Sequence, residues 1–269
     1  MTVQNYGRVG DLQASAEAGA GNSVARAPAA AFADDTALFL DVDGTLLDIA
    51  ETPGDVLTPA GLIGALQRIE RKLCGALALV SGRPIEQLDR LFSPLRLRAS
   101  GVHGAEMRFD PEADPKPTPY AHELPDSLIV ALEDALRPFP GVFIERKTYS
   151  VAVHYRGAPD TGSQVREVLR RLIEEPAHSG IEIFDAHFAF ELKLPGFDKG
   201  GAITMFLQTV PFVGRVPMFV GDDTTDEAGF AAVVARGGSA YSVGRWRPGA
   251  SGVFEDPTSV RAWLAACAT

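Results

Sequence analysis

The sequence predicts an α/β protein with a parallel-sheet core and a smaller α+β unit inserted into it. Three observations predict this. Apolar strand-length runs alternate with helix-length segments toward both ends of the chain, which is the pattern of parallel βαβ units. Two of those runs end in acidic clusters, Asp41-Val42-Asp43-Gly44-Thr45 and Gly221-Asp222-Asp223-Thr224-Thr225-Asp226-Glu227. The middle of the chain breaks the rhythm with a Pro-rich stretch and hairpin-like segments.

The elements follow in order. Residues 1–33 are rich in Ala and Gly with scattered charges, lack the continuous apolar centre of a secretory signal, and read as a mobile tail. Residues 37–42 form a short apolar strand that delivers its last residues to a site. Thr58 and Pro59 are expected to open a helix, Thr as its cap and Pro in its first turn. Leu62, Leu66, Ile69 and Leu73 then make a single apolar stripe, and Gly75 closes it. A strand at 75–80, a helix at 84–92 and a strand at 95–101 come next, with Cys74 read as a core residue of the apolar run. Residues 110–120 are a polar loop; strands at 142–144 and 150–156 flank a short connection; 164–173 is an amphipathic helix; 181–185 and 187–193 make a hairpin. The alternation then resumes with a helix from Lys199, a strand at 216–220, a helix from Thr225, a strand at 240–243, and a last helix begun by Pro257 and capped by Asp256. The expected division is a core of residues 34–107 and 195–269 with an inserted unit at 108–194.

Composition narrows the function. With 25 basic and 35 acidic residues the net charge is −10, a surface that repels nucleic acid and anionic membranes, so neither is an expected partner. Any phosphate site must therefore be locally cationic. No apolar run approaches the length of a membrane span. Two cysteines, Cys74 and Cys267, cannot build a disulfide framework, so a reducing, cytoplasmic address is expected.

The chemistry lies in the acidic strand ends. In an open α/β sheet, ligands bind beyond the carboxyl ends of the strands. Asp41 and Asp43 are two apart, so on a strand they start on one side, where one carboxylate can attack and the other can move a proton. Gly44 lets the chain turn and face amides toward an anion. Two like charges about 4 Å apart cost ~4 kcal/mol at an effective dielectric of ~20. If the two clusters meet, a hard divalent cation such as Mg²⁺ is the natural counter-charge, with Asp222 nearest to it. The plainer reading of the second cluster is helix capping, and the two roles are compatible. Ser81-Gly82-Arg83 follows the second strand and could bind phosphate through hydroxyl and amides; Lys199, at a helix start, could stabilise a transferring phosphoryl group.

DxDGT, Ser-Gly-Arg, Lys-Gly and GDDxTDE, in that order from Asp41 to Glu227, resemble the motifs of the haloacid dehalogenase superfamily. That resemblance implies a Rossmann-like core, Mg²⁺ dependence and an aspartyl-phosphate intermediate. It implies Asp41 as nucleophile, Asp43 as general acid and base, and Ser81 and Lys199 as phosphoryl ligands. The metal would be held by Asp41, the backbone carbonyl of Asp43, and Asp222, with Asp226 and Asp223 in support. Asp41 and Ser81 are 40 positions apart and Ser81 and Lys199 118, so the insertion that forms a lid falls between the second and third motifs. Within the superfamily, Gly101-Val102-His103-Gly104-Ala105-Glu106, Glu145-Arg146-Lys147, His154-Tyr155-Arg156, Glu191-Leu192-Lys193 and GDDTTDE resemble the trehalose-6-phosphate phosphatases.

On that resemblance Glu145, Lys147 and Glu191 bind sugar hydroxyls from the lid. From spacing alone, Glu145 with Lys147, and Glu191 with Lys193, share a strand face and offer a disaccharide both acceptors and donors; surface salt bridging is the plainer alternative. Gly82 and Arg83 join the substrate-binding set, and His103 is equally a hydrogen-bonded loop residue or a substrate contact. His154 is expected to pack or bond within its strand. The expected partner is a small phosphosugar, trehalose 6-phosphate; a monomer is favoured, with the sequence leaving the oligomeric state open. Phosphatases for sucrose phosphate or mannosyl-phosphoglycerate, and a non-catalytic sugar-phosphate sensor or partner of the synthase, remain as alternatives.

Overall fold

A computed structural model of the chain describes residues 33–50, 56–119, 121–186 and 188–269. Residues 1–32, nearly all of the expected tail, and residue 187 of the expected hairpin lie outside the described residues. The first part of the core runs β1 (Thr36–Leu40), α1 (Leu62–Lys72), β2 (Leu77–Val80), α2 (Ile85–Phe92), β3 (Arg98–Gly101), β4 (Glu106–Arg108) and β5 (Lys116–Pro117). The inserted unit follows as α3 (Asp126–Leu136), β6 (Phe143–Arg146), β7 (Ser150–His154), α4 (Gly162–Ile173), β8 (Glu182–Ala186) and β9 (Ala189–Lys193). The chain then returns to the core with α5 (Lys199–Phe206), β10 (Val216–Gly221), α6 (Glu227–Val234), β11 (Ser239–Val243), β12 (Gly252–Phe254) and α7 (Pro257–Cys267).

The eight-stranded sheet has the order β12-β11-β10-β1-β2-β3-β4-β5. From β12 to β3 every pairing is parallel, and β4 and β5 add an antiparallel edge. From β1 the chain winds outward through β2 and β3, and from β10 it winds the other way through β11. Right-handed crossovers therefore set α1 and α6 on opposite faces. The reversal falls between β1 and β10, and a crevice opens there at the strands' carboxyl ends. Both strands are apolar because both faces are covered: Leu38, Phe39, Leu40, Phe219 and Val220 are wholly buried. The stripe Leu62, Leu66, Ile69 and Leu73 is buried, each side chain contributing about 1.5–3 kcal/mol.

Some expectations do not hold. Thr58 does not cap a helix. Its hydroxyl donates to the Leu91 carbonyl at 2.6 Å, and α1 starts later, behind Gly61 in a left-handed conformation. Cys74 is exposed, because the chain turns through φ 52° there as α1 ends; Cys267 is the buried thiol. The eight-stranded sheet also continues past the expected boundary at Arg108. β4 and β5 pair with the core, and buried Arg108 is tied to Asp89 by two 2.6 Å bonds and to the Leu97 carbonyl. Asp256 caps α7, accepting from the Ser259 amide at 2.7 Å, as the sequence indicates.

The inserted unit is a four-stranded antiparallel sheet, β6-β7-β9-β8, backed by α3 and α4. Alternation divides its residues cleanly. Val151, Val153, Phe190 and Leu192 pack with Leu128, Leu132, Val165 and Leu169 in a separate hydrophobic cluster. The opposite face, with Ala152, His154, Ala189 and Glu191, lines a cleft shared with the core.

Candidate active site

Register brings the two acidic clusters together. Leu40 pairs with Val220, so Asp41 and Asp222 leave adjacent strand ends at the topological switch point. Ligand oxygens of Asp41, Asp222 and Asp226 lie within 4.8 Å of one another. Two glycines make the approach possible. The Asp222 carboxylate rests against Gly44, where a Cβ would come within 2.2 Å of it and where φ is +77°. A Cβ on Gly221 would stand 2.4 Å from the Asp226 carboxyl carbon.

Asp41 is 4% exposed; its Oδ1 accepts from Lys199 Nζ at 2.7 Å and its Oδ2 from the Thr45 hydroxyl at 3.0 Å. Lys199 Nζ also donates to Asp226 Oδ1 at 2.6 Å. Burial would lower the ammonium's pKa, but Asp226 and Asp41 together hold it above its ordinary value. Burial raises the Asp41 carboxyl well above the usual carboxylate range; Lys199 offsets part of this, while Asp226 and Asp222 add to it. Burial, with Asp226 beside it, pushes Asp222 up to about 7. One ammonium thus faces three carboxylates, and the surplus negative charge is what a cation would neutralise.

The donor set fits a hard divalent ion, since it consists of oxygens alone. Asp226 is not free to be a direct ligand. Its Oδ2 accepts the amides of Asp222 and Asp223 at 2.9 and 2.8 Å, and its Oδ1 is taken by Lys199. It holds the loop, and the carboxylates left to meet an ion are those of Asp41 and Asp222. Asp223 caps the turn that follows, accepting from the Thr224 amide at 2.7 Å. Within this one segment Asp223 caps the turn, Asp226 braces the loop, and Asp222 stands beside Asp41.

The flank of the crevice next to Asp43 is built on the end of β2. Buried Ser81 accepts the Arg83 amide at 3.1 Å, and Arg83 donates Nε and Nη2 to Asp43 in a fork, both at 2.6 Å. Asp43, Gly82 and Arg83 line the cleft of about 470 Å³ between the two sheets. The turn after β3 carries Val102 and His103 at φ 47° and 55°, left-handed values that cost side-chain-bearing residues ~1–3 kcal/mol each. It aims His103 Nε2 at Glu191 of the inserted unit, 2.7 Å away. Glu191 also accepts from Ser150 Oγ at 2.6 Å and Lys147 Nζ at 3.3 Å. Burial would raise this carboxyl, but His103, Lys147 and Ser150 hold it well below the ordinary value. Lys147 reaches the Gly82 carbonyl at 3.4 Å, a second contact across the cleft. Glu145 is paired with His154 at 2.8 Å, and that bond lowers its pKa.

Lys193 is not brought to the cleft. Its ammonium is buried, donates to the Phe197 carbonyl at 2.8 Å, and sits over the rings of Phe184 and Phe197. It fastens the chain where the insertion returns to the core, in place of the sugar-binding role expected of it.

Three participants were not expected. Thr45 orients Asp41 and was legible within DVDGT. Ser150 pins Glu191 from the neighbouring strand, a pairing that appears only with register. Arg247 carries no motif signal: buried beside the loop, it donates to the Asp222 carbonyl at 2.5 Å and pairs with Asp223 and Glu227 at 3.3 and 3.5 Å.

Comparison with known proteins agrees with this architecture. A family model described as trehalose-phosphatase matches residues 39–246. The chain is 36% identical over 232 residues to a trehalose-6-phosphate phosphatase of Escherichia coli (strain K12), covering 85% of each chain. It is 38% identical over 226 residues to a probable trehalose-phosphate phosphatase of Sinorhizobium fredii (strain NBRC 101917 / NGR234), covering 84% of each. The structure of the C-terminal domain of the C. albicans trehalose-6-phosphate phosphatase superimposes with a TM-score of 0.77 over 87% of this chain and 92% of that one, at 19% identity, and so bears on the fold. The molecule is a phosphatase with the core architecture of the haloacid dehalogenase superfamily. It belongs to the trehalose-phosphatase family. Among the described residues, no helix is long and apolar enough to cross a membrane.

Proposed function

We propose that the protein hydrolyses trehalose 6-phosphate to trehalose and phosphate, with Asp41 as nucleophile and Mg²⁺ as cofactor. One observation carries the reading. The Asp41 carboxylate is buried between Lys199 and Asp222 at the switch point, beside a cleft whose far wall holds Glu145, Lys147 and Glu191. A carboxylate oxygen of Asp41 attacks phosphorus, and the bond from phosphorus to the sugar oxygen breaks. Asp43 gives that oxygen its proton, then takes one from water. The water oxygen attacks phosphorus, the bond to Asp41 breaks, and phosphate leaves. Thr45 and Lys199 fix the orientation of Asp41; Lys199 and the backbone after Ser81 offset charge on the phosphoryl oxygens. Asp41, Asp222 and the Asp43 carbonyl would hold Mg²⁺, which when bound would further neutralise that charge. Arg83 keeps Asp43 in place until substrate arrives.

Glu145, Lys147 and Glu191 supply acceptors and a donor for sugar hydroxyls, with His103 and Arg83 beside them. The net charge of −10 disfavours nucleic acid as a partner, and the two free cysteines suit a reducing, cytoplasmic address.

Phosphate release from a panel of phosphosugars with Mg²⁺ present tests the substrate. Trehalose 6-phosphate is expected to give the highest kcat/KM, and a better rate on sucrose phosphate or mannosyl-phosphoglycerate would reject it. Excess chelator is expected to cut the rate by ~10²-fold or more, the scale of losing one strong electrostatic stabiliser, with recovery on adding Mg²⁺. Mg²⁺ should also raise Tm in a concentration-dependent way, because it binds the folded crevice. Rates that ignore the chelator would contradict the metal assignment.

A further inference from the structure

The cleft-facing side of the four-stranded sheet is ordered in two rows. Register aligns Glu145, Ala152, Glu191 and Phe184 across the four strands. It aligns Phe143, His154, Ala189 and Ala186 in the next row. Every member of both rows lines the cleft. The rows are two residues apart along each strand, ~7 Å, which is about the width of one pyranose ring.

Direction along β6 distinguishes the rows. Lys147, just beyond β6, touches the Gly82 carbonyl of the core, so the row of Glu145 and Glu191 is the nearer to the phosphate end. The row of Phe143 is one step farther out. Its chemistry also differs. Phe143 is 49% exposed and turns into the cleft. Its ring stacks on His154 with centroids 4.4 Å apart and planes 11° apart, and His154 is fixed in turn by its bond to Glu145. Beside this rigid aromatic pair, Ala189 and Ala186 stop at Cβ and leave the floor low.

An apolar plate over a shallow floor, bordered by carboxylates one row away, matches a sugar ring, which offers a C–H face and a rim of hydroxyls. Resting on the function proposed above, we propose that Phe143, braced by His154, seats the sugar ring remote from the phosphate, and that Ala189 and Ala186 make room for it. Phe143 is on this reading a specificity-determining residue: it favours two-ring phosphosugars over single-ring ones.

The test is the ratio of kcat/KM on trehalose 6-phosphate to kcat/KM on glucose 6-phosphate, measured for the parent, Phe143→Ala, Phe143→Tyr and Ala189→Leu, with Tm as a check on folding. Phe143→Ala and Ala189→Leu are each expected to lower the ratio about ten-fold, through KM for the two-ring substrate, with Phe143→Tyr close to the parent. A ratio within about two-fold of the parent in Phe143→Ala, or equal losses on both substrates, overturns the proposal. Should the parent prefer a different two-ring phosphosugar, the trehalose reading fails while the same ratio on that substrate still decides the role of Phe143. Preference of the parent for single-ring phosphosugars would overturn both.

Discussion

Asp41→Asn is expected to lose ~10⁴-fold or more in phosphate release while keeping its fold, the scale of removing a nucleophile from an assembled site. Asparagine has the same shape, and its carbonyl oxygen can still accept one of the two bonds that Asp41 receives from Thr45 and Lys199. What it lacks is the charge and lone-pair reactivity needed to attack phosphorus. The structure also predicts the stability change. Asp41 is buried and crowded by Asp222 and Asp226, so its negative charge is itself costly in the metal-free protein. Neutralising it removes that repulsion but also weakens the pairing with Lys199, so Tm without metal should change little. The rise in Tm on adding Mg²⁺ should shrink, because one carboxylate has gone. A variant that kept a substantial share of the parent rate would remove Asp41 from the role of nucleophile.

Lys199→Ala is expected to damage the fold as well as the chemistry. The ammonium is 3% exposed and bridges Asp41 and Asp226 at 2.7 and 2.6 Å. Its loss leaves two buried carboxylates unpaired, which costs about 3–5 kcal/mol, or a fall in Tm of roughly 6–20 °C for a domain of this size. The damage extends to the loop, since the other oxygen of Asp226 holds the amides of Asp222 and Asp223. Activity should fall further than for a distant variant of equal Tm, and Mg²⁺ should recover part of the stability. Denaturant unfolding with and without Mg²⁺ measures both; a Tm equal to that of the parent would show that the bridge contributes nothing.

The parts of this molecule that sequence makes legible are those in which local pattern and destination coincide. The strand preceding Asp41 is apolar because it is central, and the helix stripe from Leu62 to Leu73 is buried because its period matches a helix. The acidic clusters could be placed at strand ends, but only register puts Asp41 and Asp222 on neighbouring strands. Short pieces were missed for a simple reason. β4, β5 and β12 have three residues or fewer, too little for a period to show. The helix α3 follows a Pro-rich loop, and although Leu128, Leu132 and Leu136 give it an apolar face, no cap residue announces it.

Long polar side chains were the other source of error. Alternation correctly puts Lys193 on the same strand face as Glu191, yet it says nothing about where a four-carbon stem leads, and this one runs to the Phe197 carbonyl. Pairings between distant positions, such as Arg83 with Asp43 and Arg247 with the loop after β10, exist only once the chain has folded.

On the proposed function, the contacts of Glu191 set the terms on which a sugar hydroxyl can bind there. Its carboxylate already has His103, Lys147 and Ser150 as donors, three of the roughly four that a carboxylate can accept, so it is held in place before any ligand arrives. A hydroxyl can add to it along the direction those donors leave open, or displace one of them, an exchange of one hydrogen bond for another that yields little net free energy. Such a group rewards tight binding weakly but penalises misfit strongly, because a ligand that evicts a donor without replacing it leaves a buried charge short of a partner. Glu191 would thus select by geometry, admitting a hydroxyl only where its three donors leave room.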